Sequence, residues 1–483
     1  MKTIFKTSIY IAIILCVFSC VSDLDVEQKG ALTESDFLNN PENAVKIVNA
    51  VYAKQLTYNM YTFSWIGMTS ITSDNADKGS TAGDTGADKH KMDNLTFDSS
   101  DISVSEVWAA RYEGINLANT ALQYLEKLQI DATLKSRLIG ETKFLRALFY
   151  FDLVRCFGGV PLVVGTIDIS NVNAVNETVY TRKTKDQTYA QIENDLNDAI
   201  QRLPLKSQYA QNDLGRASKG AAQALLAKAY LYQQKWQLAF DMSGNVINSV
   251  QYSLLVNYAD VWREVGENKS ESIYEVQATL SNGLDGYTNV QGARGTPDLG
   301  WGFNTPSLTL TNSYQAGDLR KAATILFVPS TLWDGFVAPT TLNNPRYNYK
   351  AYQSTIAEPW DGSRTNTAKN HRILKFSDIL LICAEAALNL GNTTEALLLV
   401  NSTRNRAGLS NLTSITMPAL LNERRFEMAM EFDRWFDLIR TGEAQSKMAD
   451  DGKTFIVGKH ELFPIPLPQI ILSEGRLTQN PGY

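Results

Sequence analysis

ASKGAAQALLAKAYLYQQKWQLAFDMSGNVIN, residues 217–248, reads as two helices folded against one another. Ala221, Ala222, Ala224, Ala227 and Ala229 put small side chains on every turn of the first segment, 217–234, so a second helix can approach closely. The pattern restarts at once in 235–248, where Trp236 and Leu238 supply bulk to pack against that surface. RILKFSDILLICAEAALNLG (372–391) repeats the design with Ala384, Ala386 and Ala387. A Gly-Asn turn then leads into TTEALLLVNSTRNRAGL (393–409), with Leu397 to Val400 as its packing groups. Hairpins of this kind bury little alone and must stack.

Helical periodicity continues in both directions. Residues 41–57 place Ala44, Ile47, Val48 and Val51 on one face, and further blocks cover 107–128, 134–158 and 188–203. Gly158-Gly159 and Pro204 end the last two. A final helix is expected over 418–442. Two regions break the pattern. Residues 66–104 hold the polar run SDNADKGSTAGDTGAD, and 281–372 scatter Gly, Pro and Asn with little periodicity. A structureless stretch that long inside a compact protein is improbable, so it should be functional or carry irregular strands. Its tryptophans, Trp301, Trp333 and Trp360, sit in loops beside Gly, Asn and Pro. The expected fold is mainly α, a superhelix of tetratricopeptide-like helix hairpins with an irregular, loop-rich half containing short strands. An all-α right-angled bundle is the alternative. The expected division is 36–260 and 261–483, the second part ending in helices over 372–442 and an extended C-terminal segment.

Within the final helix, EFDRWFDLIRTG (431–442) crowds acids and arginines around a tryptophan and could be mistaken for an active site. On a helix, Phe432, Trp435, Phe436 and Ile439 follow the i, i+3, i+4, i+7 rule and face the core. Glu431–Arg434 and Asp437–Arg440 are then i, i+3 pairs of opposite charge, each worth a few tenths of a kcal/mol when exposed. Gly442 can end the helix with positive φ. The stretch needs no catalysis to explain it. LFPIPLPQ (462–469) alternates Pro464, Pro466 and Pro468, which predicts an extended segment lying near that helix.

The start of the chain points to a compartment. Lys2 and Lys6 precede an apolar run over 9–17, about the length of a signal-peptide core and too short for a comfortable membrane span. It ends at Ser19-Cys20, which resembles a bacterial lipobox and implies cleavage before Cys20 and lipid on its thiol. Residues 20–35, with Asp23, Asp25 and Glu27, then form an acidic tether. Loss of residues 1–19 removes two lysines and moves the net charge from −6 to −8. That balance argues against nucleic acid as a partner. Cys156 and Cys383 fall in apolar helical patterns and read as core thiols, although sequence leaves a disulfide between them open.

Catalytic motifs are missing. The chain holds no HExxH, CxxC, GxxxxGK[ST] or GxSxG pattern, and His90, His371 and His460 lack ligand spacing. No EF-hand spacing supports calcium. Several stretches, in this order, resemble the SusD/RagB family of surface glycan-binding lipoproteins. They include SDNADKG (73–79), FLRALFYFDLVRCFGGVPLV (144–163), GWGFNTPS (300–307), AEAALNLG (384–391), ERRFEMAMEFDRWFDLIRTG (423–442), LFPIPLPQ and QNPGY (479–483). The resemblance implies four tetratricopeptide-like hairpins, an irregular ligand-binding half, no cofactor and no catalytic step. It also implies anchorage at the outer face of the outer membrane and delivery of oligosaccharide to a SusC-like TonB-dependent β-barrel.

Sugar recognition calls for aromatic rings under C–H faces and short polar side chains at the rim. Within the two atypical regions the candidate glycan-binding residues are Trp301 first, then Trp65 and Tyr287, with Asp74, Asn75 and Asn304 as hydrogen-bonding groups. Trp108, Trp236, Trp262 and Trp435 read as core. Two other functions remain as alternatives. One is a surface lipoprotein glycoside hydrolase, which needs two suitably spaced carboxylates. The other is a hairpin scaffold that binds peptide or protein.

Overall fold

The computed structural model describes residues 40, 42–363 and 365–483, so the expected signal peptide, Cys20 and acidic tether lie outside the described residues. The main helices are α1 (Glu42–Lys54), α2 (Ile102–Lys127), α3 (Ala132–Phe157), α4 (Lys185–Arg202), α5 (Lys219–Tyr232) and α6 (Trp236–Asn248). They continue after the irregular half as α7 (Phe376–Asn389), α8 (Thr393–Arg406), α9 (Met417–Glu427) and α10 (Arg434–Thr441). From α2 to α8 each helix packs on the next, which is the stacked-hairpin architecture the alanine faces predict. Ala221, Ala222, Ala224, Ala227 and Ala229 are fully buried, as are Ala384, Ala386 and Ala387. Between α2 and α3 the axes come so close that a Cβ on Gly114 would lie 2.7 Å from the Phe149 ring.

The partner surfaces differ from expectation. On α6 the buried residues are Ala239, Ser243 and Val246, while Leu238 is exposed and Trp236 half-buried. On α8 Leu399 and Val400 are buried, but Leu398 points to solvent. Close packing against an alanine face favours small or β-branched groups, so Leu238 and Leu398 move to the flanks while Leu399 stays buried.

Four short strands join segments distant in the chain: β1 (Ala76–Gly79), β2 (Ser272–Val276), β3 (Phe303–Pro306) and β4 (His371–Lys375). β1 pairs antiparallel with β3, Ala76 opposite Pro306 and Gly79 opposite Phe303. β4 pairs antiparallel with β2, His371 opposite Val276 and Lys375 opposite Ser272. Residues 372–375 therefore do not start α7, as periodicity predicts. They extend to satisfy the backbone of β2, whose Ile273, Tyr274 and Val276 suit a strand. The rest of 281–372 is short helices, strands of two or three residues and turns, in keeping with the expected irregular half.

Residues 66–76 are buried and 77–79 half-buried, contrary to their reading as part of a polar loop. Their hydroxyls turn inward on their own backbone: Thr69 donates to the Trp65 carbonyl, Thr72 to Met68 and Ser73 to Ser70, each at 2.7 Å. A π-helical turn over Gly67–Ile71 carries this packing. The Lys453 ammonium then joins the carbonyls of Ile71, Ser73 and Ala76 at 3.0, 2.7 and 2.9 Å. Polar residues pack as core when most of their polar atoms find partners, local or distant.

The expected helix over 418–442 is two helices. Met430 (φ +65°) and Phe432 (φ +71°) adopt left-handed backbone between α9 and α10. Glu431 there accepts from Lys350 and Lys375 at 2.6 and 2.8 Å, and Phe432 packs on His371 and Tyr287. These buried contacts outweigh the strain of about 1–2 kcal/mol per left-handed residue. Gly442 (φ +73°) ends α10 as its position predicts. In the proline segment 463–466 is extended, but Pro468 lies in the first turn of a helix over Leu467–Leu472. A proline loses no hydrogen bond there. Phe463 reaches the Trp435 ring at 5.9 Å, which sets the segment against α10. Cys156 and Cys383 are both buried free thiols.

Candidate functional site

The six candidate glycan contacts divide sharply by exposure. Trp65 is only 3% exposed, with the Arg111 guanidinium 4.1 Å over its ring and Tyr61 edge-on. Asp74 is fully buried and accepts from Arg434 at 2.7 and 2.8 Å, with Arg425 at 3.0 Å. Burial alone would raise its pKa, but the Arg434 and Arg425 charges prevail and hold the carboxyl below its ordinary value. The Asn75 Oδ1 accepts from Arg425 at 2.7 Å. Tyr287 is buried with its ring 4.9 Å from His371. Asn304, fully buried at φ +58°, accepts from Ser70 at 2.7 Å and donates to Gln291 at 2.8 Å. These five side chains present no open surface to a ligand. Asp74 and Asn75 tie the 66–79 segment to α9 and α10. Trp65 packs on Arg111 of α2, Tyr287 packs on His371 of β4, and Asn304 joins Ser70 to Gln291.

Trp301 differs. It is 40% exposed and stands on a turn whose neighbours have positive φ, Gly300 (+155°) and Gly302 (+76°). A Cβ on Gly300 would lie 2.4 Å from the Asn289 carbonyl. The Trp301 N–H donates to that carbonyl at 2.7 Å, and the Gly302 N–H donates to Gly292 at 2.8 Å. An edge contact with Phe63 steadies the ring. The backbone is thus fixed beneath an indole left in solvent, and β3 begins at the next residue but one.

Asn289, Gly292 and Leu299 beside this turn also line a shallow cleft of 40 Å³, together with Tyr352, Gln353, Trp360 and Asn366. Trp360 is 41% exposed, and its Nε1 donates to the Ser363 carbonyl at 3.0 Å. Trp360 and Trp333 are not among the six sequence candidates, although both are loop tryptophans of the irregular half. Their signal was the glycine two positions on, as in Trp333-Asp334-Gly335 and Trp360-Asp361-Gly362. Among the described tryptophans, the three more than a third exposed are Trp301, Trp333 and Trp360, all in the irregular half. Trp108, Trp262 and Trp435 are buried as expected.

The acids near these rings are engaged. Asp334 accepts from Tyr352 at 2.8 Å and Ser354 at 2.6 Å. Partial burial works to raise its pKa, but these hydrogen bonds, with one from the Phe336 N–H, keep it below the ordinary value. Glu358 accepts the N–H groups of Ser354 and Glu264, both at 2.9 Å. A larger cavity of 720 Å³ lies in the helical half between the start of α4, the α5–α6 turn and α10. Its aromatic residues, Tyr189, Tyr232 and Phe436, are buried, and Arg155 and Arg440 are paired with Asp152 and Asp437. It offers no open ring for a sugar face.

EFDRWFDLIRTG is not the surface of a helix. Arg434 turns to Asp74 rather than to Glu431, and Asp433 meets Lys228 and, at 3.1 Å, Arg155. Asp437 does pair with Arg440 at 2.8 Å, and also receives Arg424 at 2.8 Å. Trp435 is 1% exposed. The stretch is the buried charged seam where α10 meets α3, α5, α9 and the 66–79 segment.

Residues 24–231 match the family described as starch-binding associating with outer membrane, and residues 333–483 match the SusD family. A SusD-like protein of Formosa agariphila is 26% identical over 98% of this chain and 99% of its own. A solved laminarin binding SusD-like protein is 30% identical, with a TM-score of 0.80 over 92% of this chain and 100% of its own. Surface glycan-binding protein A from Bacteroides thetaiotaomicron, in complex with laminarihexaose, has the same fold at 22% identity. Its TM-score is 0.77 over 91% of this chain and 99% of its own. The stacked helix hairpins and the irregular half thus share the fold of these solved structures, and the chain belongs to the SusD/RagB family.

Proposed function

We propose that this chain binds an oligo- or polysaccharide at the Trp301–Trp360 surface without cleaving it. In this reading lipid on Cys20 holds it at the cell surface, and the glycan passes to a SusC-like TonB-dependent outer-membrane transporter. The observation that carries the binding role is the rigid, solvent-facing Trp301 on its two-glycine turn. An indole costs stability when left in water, and its flat face suits the C–H face of a pyranose. Asn289 in the adjoining cleft offers a side-chain amide to sugar hydroxyls, whereas the Gln353 and Asn366 amides are bonded within the protein and shape the cleft wall. Laminarin is the first glycan to test, because the relative with 30% identity is named for binding it.

Calorimetric titration with laminarin, backed by a glycan array, tests the reading. Trp301→Ala should weaken binding by about tenfold or more, the loss of one good aromatic contact. Its unfolding free energy should change by no more than about 0.5 kcal/mol, as at other exposed positions. A marked fall in melting temperature with binding intact would assign Trp301 to the core. Accumulation of reducing ends during incubation would replace the binding role with hydrolysis.

A further inference from the structure

We infer that the glycan surface continues beyond Trp360 into a second cleft built on Trp333, so that one linear glucan of the laminarin type spans both. This rests on the binding role proposed above and adds a subsite and a chain-length preference to it. The second cleft has a volume of 290 Å³, several times that of the first, and room for a sugar ring. Trp333 stands in it 38% exposed, with the Arg263 guanidinium 4.6 Å over the ring. Arg263 is anchored by Asp260 at 2.8 Å, which fixes it as a donor beside an aromatic face. Tyr349 accepts the Trp333 backbone N–H at 3.1 Å, so the turn bearing the indole is held from below.

Two observations tie this cleft to a polar ligand and to its neighbour. The indole N–H of Trp262, in the cleft wall, is buried and has no acceptor within the protein. An orphaned donor is unfavourable unless something supplies an oxygen, and a pyranose offers several. Trp262 itself is held in place by the Lys350 and Lys375 ammoniums, 4.7 and 5.1 Å from its ring. Tyr352 lines both clefts, and its hydroxyl is pinned by Asp334, the residue after Trp333. The two exposed tryptophans therefore flank one fixed tyrosine. A chain lying over Trp360 has Tyr352 as its next aromatic contact and Trp333 beyond it.

Titration of the full chain with laminaribiose and laminarihexaose tests this. Trp333→Ala should lower affinity for the hexaose by about tenfold and leave the biose unchanged, since the short sugar fills only one cleft. Trp333→Phe should recover part of the loss, which a merely structural defect would not do. Equal affinity of Trp333→Ala and the wild type for the hexaose would overturn the second subsite and leave the binding role intact. Equal losses for biose and hexaose would also overturn it, by making Trp333 part of a single short site. A wild type that binds neither sugar would overturn the laminarin reading and this inference with it.

Discussion

Asp74 and Arg434 are far apart in sequence, yet their side chains meet at 2.7 Å where neither is open to water. Ionised groups in that setting are retained only with full pairing, and Asp74 has two arginines to provide it. Arg434→Met should therefore destabilise the protein by about 3–5 kcal/mol, because Asp74 remains buried with Arg425 alone. Urea denaturation measures this, and a loss below about 1 kcal/mol would show that the pair adds little. The residue types were readable in SDNADKG and EFDRWFDLIRTG, but the partners were not. Helical spacing pairs Arg434 with Glu431, whereas the left-handed backbone at Phe432 turns Glu431 away toward Lys350 and Lys375.

Helix α4 shows what local chemistry settles by itself. Thr184 accepts the Gln187 N–H at 3.1 Å and its own N–H donates to the Gln187 side chain at 2.9 Å. This reciprocal cap sets the start of α4 at Lys185, three residues before the periodic block 188–203. Thr184→Ala should cost about 1 kcal/mol and shift the denaturation midpoint accordingly, with the m-value unchanged. A changed m-value would mean that the cap also holds α4 onto α3. By contrast, the break between α9 and α10 has no local signal, since no glycine or proline lies between Met428 and Asp433. Burial of Phe432 and the anchoring of Glu431 impose it from outside the element.

Across the whole molecule, a helical scaffold with a charged seam supports an irregular half whose exposed tryptophans do the proposed binding. The buried histidines make that scaffold sensitive to acid. Burial, helped by neighbouring Arg372, lowers the His371 pKa to about 3, against about 6.5 in an unfolded chain. Below pH 6.5 the unfolded chain takes up a proton that the folded protein does not, so stability falls as pH falls toward 3. Asp77 acts in the opposite sense. Burial raises its pKa to about 6 despite Lys453, and its contribution declines as pH rises from 4 to 6. His371→Gln should therefore reduce the slope of unfolding free energy between pH 5 and 6.5 by up to about 1.4 kcal/mol per pH unit. Equal slopes in the variant and the wild type would mean that His371 titrates alike in the folded and unfolded chain.

The sequence by itself determined the helix pairs, their alanine contact faces and the lack of catalytic motifs. It also pointed to the region of the proposed ligand surface, because each of these readings depends on residues close together in the chain. Trp301 could be chosen because two flanking glycines announce a tight turn that holds an aromatic away from any helical stripe. Trp65, Asp74, Asn75, Tyr287 and Asn304 share that polar, loop-like company, and nothing local marks them as interior. Only the tertiary structure decided that they are interior. Burial depends on which distant groups arrive to satisfy a side chain, and Arg111, Arg425, Arg434 and Gln291 come from elsewhere in the fold.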